Sequence, residues 1–133
     1  MNDTKALIER YYDSFNRSDM TTFMATLHDH IVHFANQSER VDGKPKFGHF
    51  MEHMNFCYRE RITDLIVFSS DDGKRAAAEY TVNGMYLNTD QGLPPARGQT
   101  YRVTGGAFFA VKDGLIIRVN NYYNLQEWLR QVT

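Results

Sequence analysis

Apolar residues at the start of the chain fall three and four positions apart. Leu7, Ile8, Tyr11, Tyr12 and Phe15 form one stripe, which predicts a helix with Asp3 or Thr4 as its N-cap. Asn16-Arg17-Ser18 interrupts it, and Asp19 then caps a short second helix carrying Met20, Phe23, Met24 and Leu27. From His30 to Gln37 the period changes to two, the mark of a strand: Val32, Phe34 and Asn36 share one face, Ile31, His33 and Ala35 the other. Asp42-Gly43-Lys44-Pro45 reads as a turn into a third helix, whose stripe is Phe47, Phe50, Met51, Met54 and Tyr58.

Beyond this point β-branched and aromatic residues dominate. Ile62–Phe68, Ala76–Leu87, Tyr101–Val111 and Leu115–Tyr123 read as strands, with Asp72-Gly73 and Asp113-Gly114 as hairpin turns. Asn83-Gly84 is read as a bulge, because a turn there would leave very short strands. Residues 93–98 form the longest loop, and Leu125, Trp128 and Leu129 mark a final helix. The expected fold class is α+β: a cone-like barrel made by a strongly curved, mainly antiparallel sheet, with three to four helices on its concave face. Such an arrangement leaves an apolar cavity between its layers.

Composition narrows the class further. The 133 residues fit a single domain, and the lone Cys57 excludes an internal disulfide framework and suits a reducing, cytoplasmic compartment. A net charge of −1 with no basic run argues against nucleic acid as a partner. No apolar run approaches the ~18 residues of a membrane span, so no membrane association is expected. Cys57 itself reads as a small buried apolar residue rather than a nucleophile.

Strand parity locates candidate pocket residues. Asn121 and Tyr123 share a face with Leu115, Ile117 and Val119; Tyr101 shares one with Val103, Ala107, Phe109 and Val111; Asn36 lies with Val32 and Phe34. Polar groups on apolar faces need partners, since an unbonded buried amide costs about 1–3 kcal/mol. They form either an internal network or a lining that orients a ligand. With Phe47, Phe50, Met51 and Met54 as adaptable walls, such a lining suits a small, largely apolar molecule bearing a carbonyl or hydroxyl. Asn36, Phe34, Tyr101 and Tyr123 are therefore candidate binding residues.

Proton-transfer candidates are few. Glu79 is the main acid inside a predicted strand, where it reads either as an outward, solvated carboxylate or as an inward acid of raised pKa. His33 is the other, if a bulge turns it inward against the alternation. His49 and His53 lie ~200–240° from Phe47 around their helix, opposite the core stripe, so no metal site is expected from them. No cofactor motif is present either. The outer faces of the last two strands carry Phe108, Ile116 and Tyr122 among polar residues, which suggests a two-fold homodimer through the sheet.

Leu7-Ile8-Glu9-Arg10-Tyr11-Tyr12, Asn16, Asp19 and Leu27-His28-Asp29, together with Asp113-Gly114-Leu115-Ile116 and Asn121-Tyr122-Tyr123-Asn124-Leu125, resemble the nuclear transport factor 2-like superfamily over nearly the whole chain. That superfamily includes ketosteroid isomerases, SnoaL-like polyketide cyclases and limonene epoxide hydrolases. The stretch from Pro95 to Tyr101 resembles the ketosteroid isomerase-related group. The resemblance implies a cone-shaped cavity and often a homodimer, but not one reaction. Tyr11 matches the isomerase tyrosine, whereas Ala35 and Ala107 stand near the two acid positions. Against the epoxide hydrolase pattern, Asn36 matches the water-holding Asn, while Phe34 and Asn121 replace a Tyr and an Asp. Tyr11, Asn121, Glu79 and His33 are thus the catalytic candidates. Three readings stay open: an acid–base or water-mediated enzyme, a ligand-binding domain, or an interaction module using exposed aromatics such as Phe56.

Overall fold

A computed structural model describes residues 3–36 and 39–133. Helix α1 (Asp3–Asn16) and helix α2 (Met20–Ala25) lead into strand β1 (Leu27–Phe34). The short strand β2 (Arg40–Asp42) precedes helix α3 (Lys44–Cys57). Four long strands follow, β3 (Tyr58–Ser69), β4 (Arg75–Tyr86), β5 (Thr100–Lys112) and β6 (Leu115–Tyr123), and helix α4 (Leu125–Val132) ends the chain. The fold is α+β: one six-stranded sheet of order β2-β1-β6-β5-β4-β3, in which only the β1–β6 pair is parallel. The sheet curves without closing, leaving β2 and β3 as its edges.

Local chemistry explains the element ends. Asp19 caps α2 by accepting a hydrogen bond from the Thr22 amide. Gly43, at φ +91°, turns the chain into α3, with proline in the first turn. Asp3 and Thr4 already belong to α1 rather than capping it, and the Thr4 hydroxyl donates to the Gly73 carbonyl at 2.6 Å. The expected strand from His30 instead starts at Leu27; its expected end, Gln37, lies outside the described residues.

Three sequence expectations about the sheet are corrected. Pairing runs without interruption through Asn83-Gly84, so no bulge occurs there; the extra residue lies opposite on β3 between Thr63 and Ile66, with Asp64 at φ +54°. In β6 a register shift turns Ile116 inward with Val119, in place of Leu115 and Ile117. Strand β3 begins at Tyr58, four residues before the expected start, because α3 stops at Cys57.

Helices α1, α2 and α3 cover the concave face, where Leu7, Ile8, Phe23, Phe47, Ile31, Phe109 and Val119 are buried together. At the other end α4 lays Trp128 and Val132 against Tyr58, Tyr86, Tyr101 and Val103. Among the described residues no helix is long and apolar enough to cross a membrane.

Candidate active site

Two adjacent compartments lie between sheet and helices, with Phe50, Met54 and Val82 lining both. The deep one, about 110 Å³, is lined by Tyr11, Tyr12, Phe47, Met51, Tyr80, His33 and Asn121. The outer one, about 530 Å³, is lined by Asn36, Tyr58, Glu60, Asp90, Tyr101, Tyr123 and Trp128. A larger groove of about 820 Å³ at the hairpin ends is an open depression among Asp71, Asp72, Lys74, Lys112 and Asp113, with no buried acid or imidazole.

In the outer compartment two carboxylates each meet a phenol. The Tyr101 hydroxyl donates to Glu60 Oε2 at 2.5 Å, and the Tyr58 hydroxyl donates to Asp90 Oδ2 at 2.7 Å. Tyr58 and Glu60 alternate with Arg59 on β3, so the two inward side chains stand side by side along one strand. Asp90 comes from the β4–β5 connection, where its amide donates to the Tyr86 hydroxyl at 2.9 Å. Loss of solvation holds the Glu60 carboxyl above its usual range, and the Tyr101 hydrogen bond pulls it partly back. Burial and the neighbouring acids push the Tyr58 and Tyr101 phenols far up, so both remain protonated donors. The Tyr123 hydroxyl is raised for the same reasons and lies in the field of both Glu60 and Asp90.

The deep compartment is neutral. His33 is 1% exposed, wedged between the rings of Phe47 and Phe50 at 4.5 and 4.7 Å, and burial lowers its pKa to about 4. The Tyr80 hydroxyl reaches Asn121 Oδ1 at 3.5 Å, so Asn121 turns its amide hydrogens to His33 Nε2 at 3.2 Å. The imidazole proton therefore sits on Nδ1. Among the described residues that group is buried without a hydrogen-bond partner, and the buried Tyr12 hydroxyl interacts with the neighbouring Tyr80 phenol.

The sequence candidates divide among these places. Tyr11, His33, Asn121, Phe47 and Met51 meet in the deep compartment, Phe50 and Met54 at the junction, and Asn36, Tyr101 and Tyr123 in the outer one. Phe34 lines neither, because Ile31 and His33 are the inward residues of β1, reversing the expected parity. Glu79 is exposed and borders a groove on the opposite face beside Asp64 and Thr104. Ala35 lines the outer compartment and Ala107 is packed in the core. The acids that enter the hollow, Glu60 on β3 and Asp90 on the β4–β5 connection, thus lie at other positions than the resemblance implies. Cys57 is 1% exposed, and burial holds its thiol up, so it is no ready nucleophile. The sequence pattern does not single out Glu60 and Asp90, because the α3 stripe runs on through Tyr58 and Asp90 lies in a connection with no periodicity. The i, i+2, i+4 set Tyr58, Glu60 and Ile62 was the available signal.

The fold matches known proteins. Residues 8–119 match the SnoaL-like domain, and the chain belongs to that family. Its likeness to a provisionally assigned polyketide cyclase of Pseudomonas putida KT2440 is 52% identity over 98% of each chain, with a TM-score of 0.97. A second such protein, from Xanthomonas campestris pv. campestris, is 48% identical over 98% of this chain and 97% of that one, with a TM-score of 0.95. An LEH-like epoxide hydrolase of M. tuberculosis, 16% identical over 98% of this chain and 89% of that one, with a TM-score of 0.73, shares the fold alone. No curated protein sequence matches.

Proposed function

We propose that this SnoaL-like protein is an acid–base enzyme acting on a small, largely apolar substrate that bears a carbonyl, with Glu60 as the proton-transfer group. The observation that carries the reading is the Glu60 carboxylate, opening on to the hollow and held by the Tyr101 hydroxyl at 2.5 Å. A carboxyl fixed in position, whose burial makes it a stronger base than a solvated one, suits proton exchange with a carbon acid. Glu60 accepts a proton from the carbon next to the substrate carbonyl, and the electron pair left behind moves on to the carbonyl oxygen. The Tyr123 phenol, which lines the same compartment and lies in the field of both acids, is the donor assigned to that oxygen. Where the substrate carries a carbon–carbon double bond one position further on, the carbonyl re-forms, that double bond moves into conjugation with it, and Glu60 gives its proton to the far carbon, which is isomerisation. In cyclisation the new carbon nucleophile closes on a second carbonyl of the same molecule, and the proton goes to the resulting alkoxide. The likeness to provisionally assigned polyketide cyclases favours the ring-closing outcome.

In this reading the deep compartment receives the apolar end of the substrate. The His33 Nδ1–H, without a hydrogen-bond partner among the described residues, is left over for a polar substituent at that end. Glu79, facing solvent, takes no part.

The test is deuterium washout from the α-carbons of a panel of cyclic ketones and diketones, followed by NMR with purified protein. Exchange above buffer for at least one member is expected. No exchange for any member overturns the proposal.

The outer sheet face is assigned in the same way to a second copy of the chain. Phe68, Ala77, Phe108 and Asn120 form one row across four strands, and Ile66, Glu79, Gly106 and Tyr122 the next. Phe68, Ile66, Phe108 and Tyr122 are at least half exposed, with Phe108 and Tyr122 in edge contact at 5.9 Å.

A further inference from the structure

Helical periodicity sets His53 on the solvent side of α3, one turn before Cys57. The fold brings a partner to it. His53 Nε2 lies 2.8 Å from Asp90 Oδ1, and the Cys57 sulfur lies 3.8 Å from the same nitrogen. One ligand atom from each residue falls within 4.8 Å of the other two. We propose that His53, Cys57 and Asp90 bind a divalent cation of the zinc class at the rim of the hollow. The proposal goes beyond the acid–base reading and does not rest on it.

Donor chemistry selects the class of ion. One thiolate, one imidazole and one carboxylate make a borderline-soft set, which suits zinc and not magnesium or calcium. With bonds of about 2.0–2.3 Å, a tetrahedral zinc holds such donors roughly 3.3–3.6 Å apart. The His53–Asp90 and His53–Cys57 separations straddle that range, and the third pair, Cys57–Asp90, lies within 4.8 Å, so seating the ion draws the sulfur and the carboxylate together. His53 is half exposed, which leaves the fourth position to water.

The set is also preorganised by contacts that do not involve the three donors directly. His53 and Cys57 are one turn apart on α3. The amides of Leu87 and Asn88 both donate to the Cys57 carbonyl, at 2.7 and 3.2 Å, and the Asn88 side chain donates to the Phe56 carbonyl at 2.7 Å. These bonds pin the segment bearing Asp90 to the end of the helix. Tyr58 then holds the second carboxylate oxygen, the outer hydrogen bond that orients a metal-ligating carboxylate. When the ion binds, the Cys57 thiol proton leaves to solvent. The ion then ties the β4–β5 connection to α3 beside the outer compartment.

Cobalt(II) titration of tag-free, chelator-treated protein reads the site directly. The proposal expects one equivalent of cobalt, a near-ultraviolet sulfur-to-cobalt band, and loss of that band on adding one equivalent of zinc. Cys57→Ser removes the band, and His53→Ala, a change at an exposed position, weakens binding at least tenfold. Absence of stoichiometric binding in wild-type protein overturns the proposal, as does a Cys57→Ser or His53→Ala protein that titrates like wild type.

Discussion

The Tyr101 hydroxyl reaches the Glu60 carboxylate across an intervening strand, passing over Gly84. Glu60 pairs with Gly84, and Gly84 pairs with Tyr101, so the three form one row over β3, β4 and β5. A Cβ at position 84 would collide with the Tyr101 ring and hydroxyl. The missing side chain is what allows a 2.5 Å bond between residues on strands that do not touch.

Gly84→Ala should therefore act on the site as well as on stability. Displacing a packed ring costs about 1–3 kcal/mol by the measure of overpacked cores. Urea denaturation should show that loss in wild-type background and much less of it in a Tyr101→Ala background, where the ring is gone. Equal losses in both backgrounds would separate Gly84 from Tyr101.

His33 makes stability depend on pH with a defined sign. Its pKa is lowered from 6.5 to about 4 in the folded chain, so between these values the unfolded chain binds more protons. Its contribution is fully present above pH 6.5 and is lost as pH falls towards 4. The loss amounts to about 3 kcal/mol for a shift of this size. Denaturation midpoints measured from pH 7.5 to 4 should fall less steeply in His33→Gln than in wild type. Parallel slopes would mean that His33 titrates normally.

Phe108→Arg puts a charge in the centre of the outer apolar rows. Sedimentation at micromolar concentration should give a dimer for wild type and a monomer for the variant. A monomeric wild type would remove the second copy from that face.

Much of this architecture was legible in the chain because its signals are local. The Leu7–Phe15 stripe became α1, Asp19 became the cap of α2, and Asp113-Gly114 became a turn with both residues at positive φ. The site was legible only in part, because it depends on which strand faces which. Val32 and Phe34 outrank Ile31 and His33 in apolar character, yet His33 is the buried one. Two phenylalanine rings from α3 and the Asn121 amide make a neutral imidazole an acceptable core residue. Glu60 was hidden by a boundary: once Tyr58 is assigned to the helix, the alternation that turns Glu60 inward cannot be seen. Asp90 depends on a connection folding back on α3, which no periodicity encodes.

The central claim is that Glu60, and not Glu79, moves the proton. Deuterium washout should be compared among wild type, Glu60→Gln and Glu79→Gln, using whichever ketone of the panel exchanges fastest. Removing a positioned acid–base group costs about 10²–10⁴ in rate, so Glu60→Gln should lose activity on that scale while Glu79→Gln keeps the wild-type rate. A Glu60→Gln protein that exchanges as fast as wild type would contradict the account.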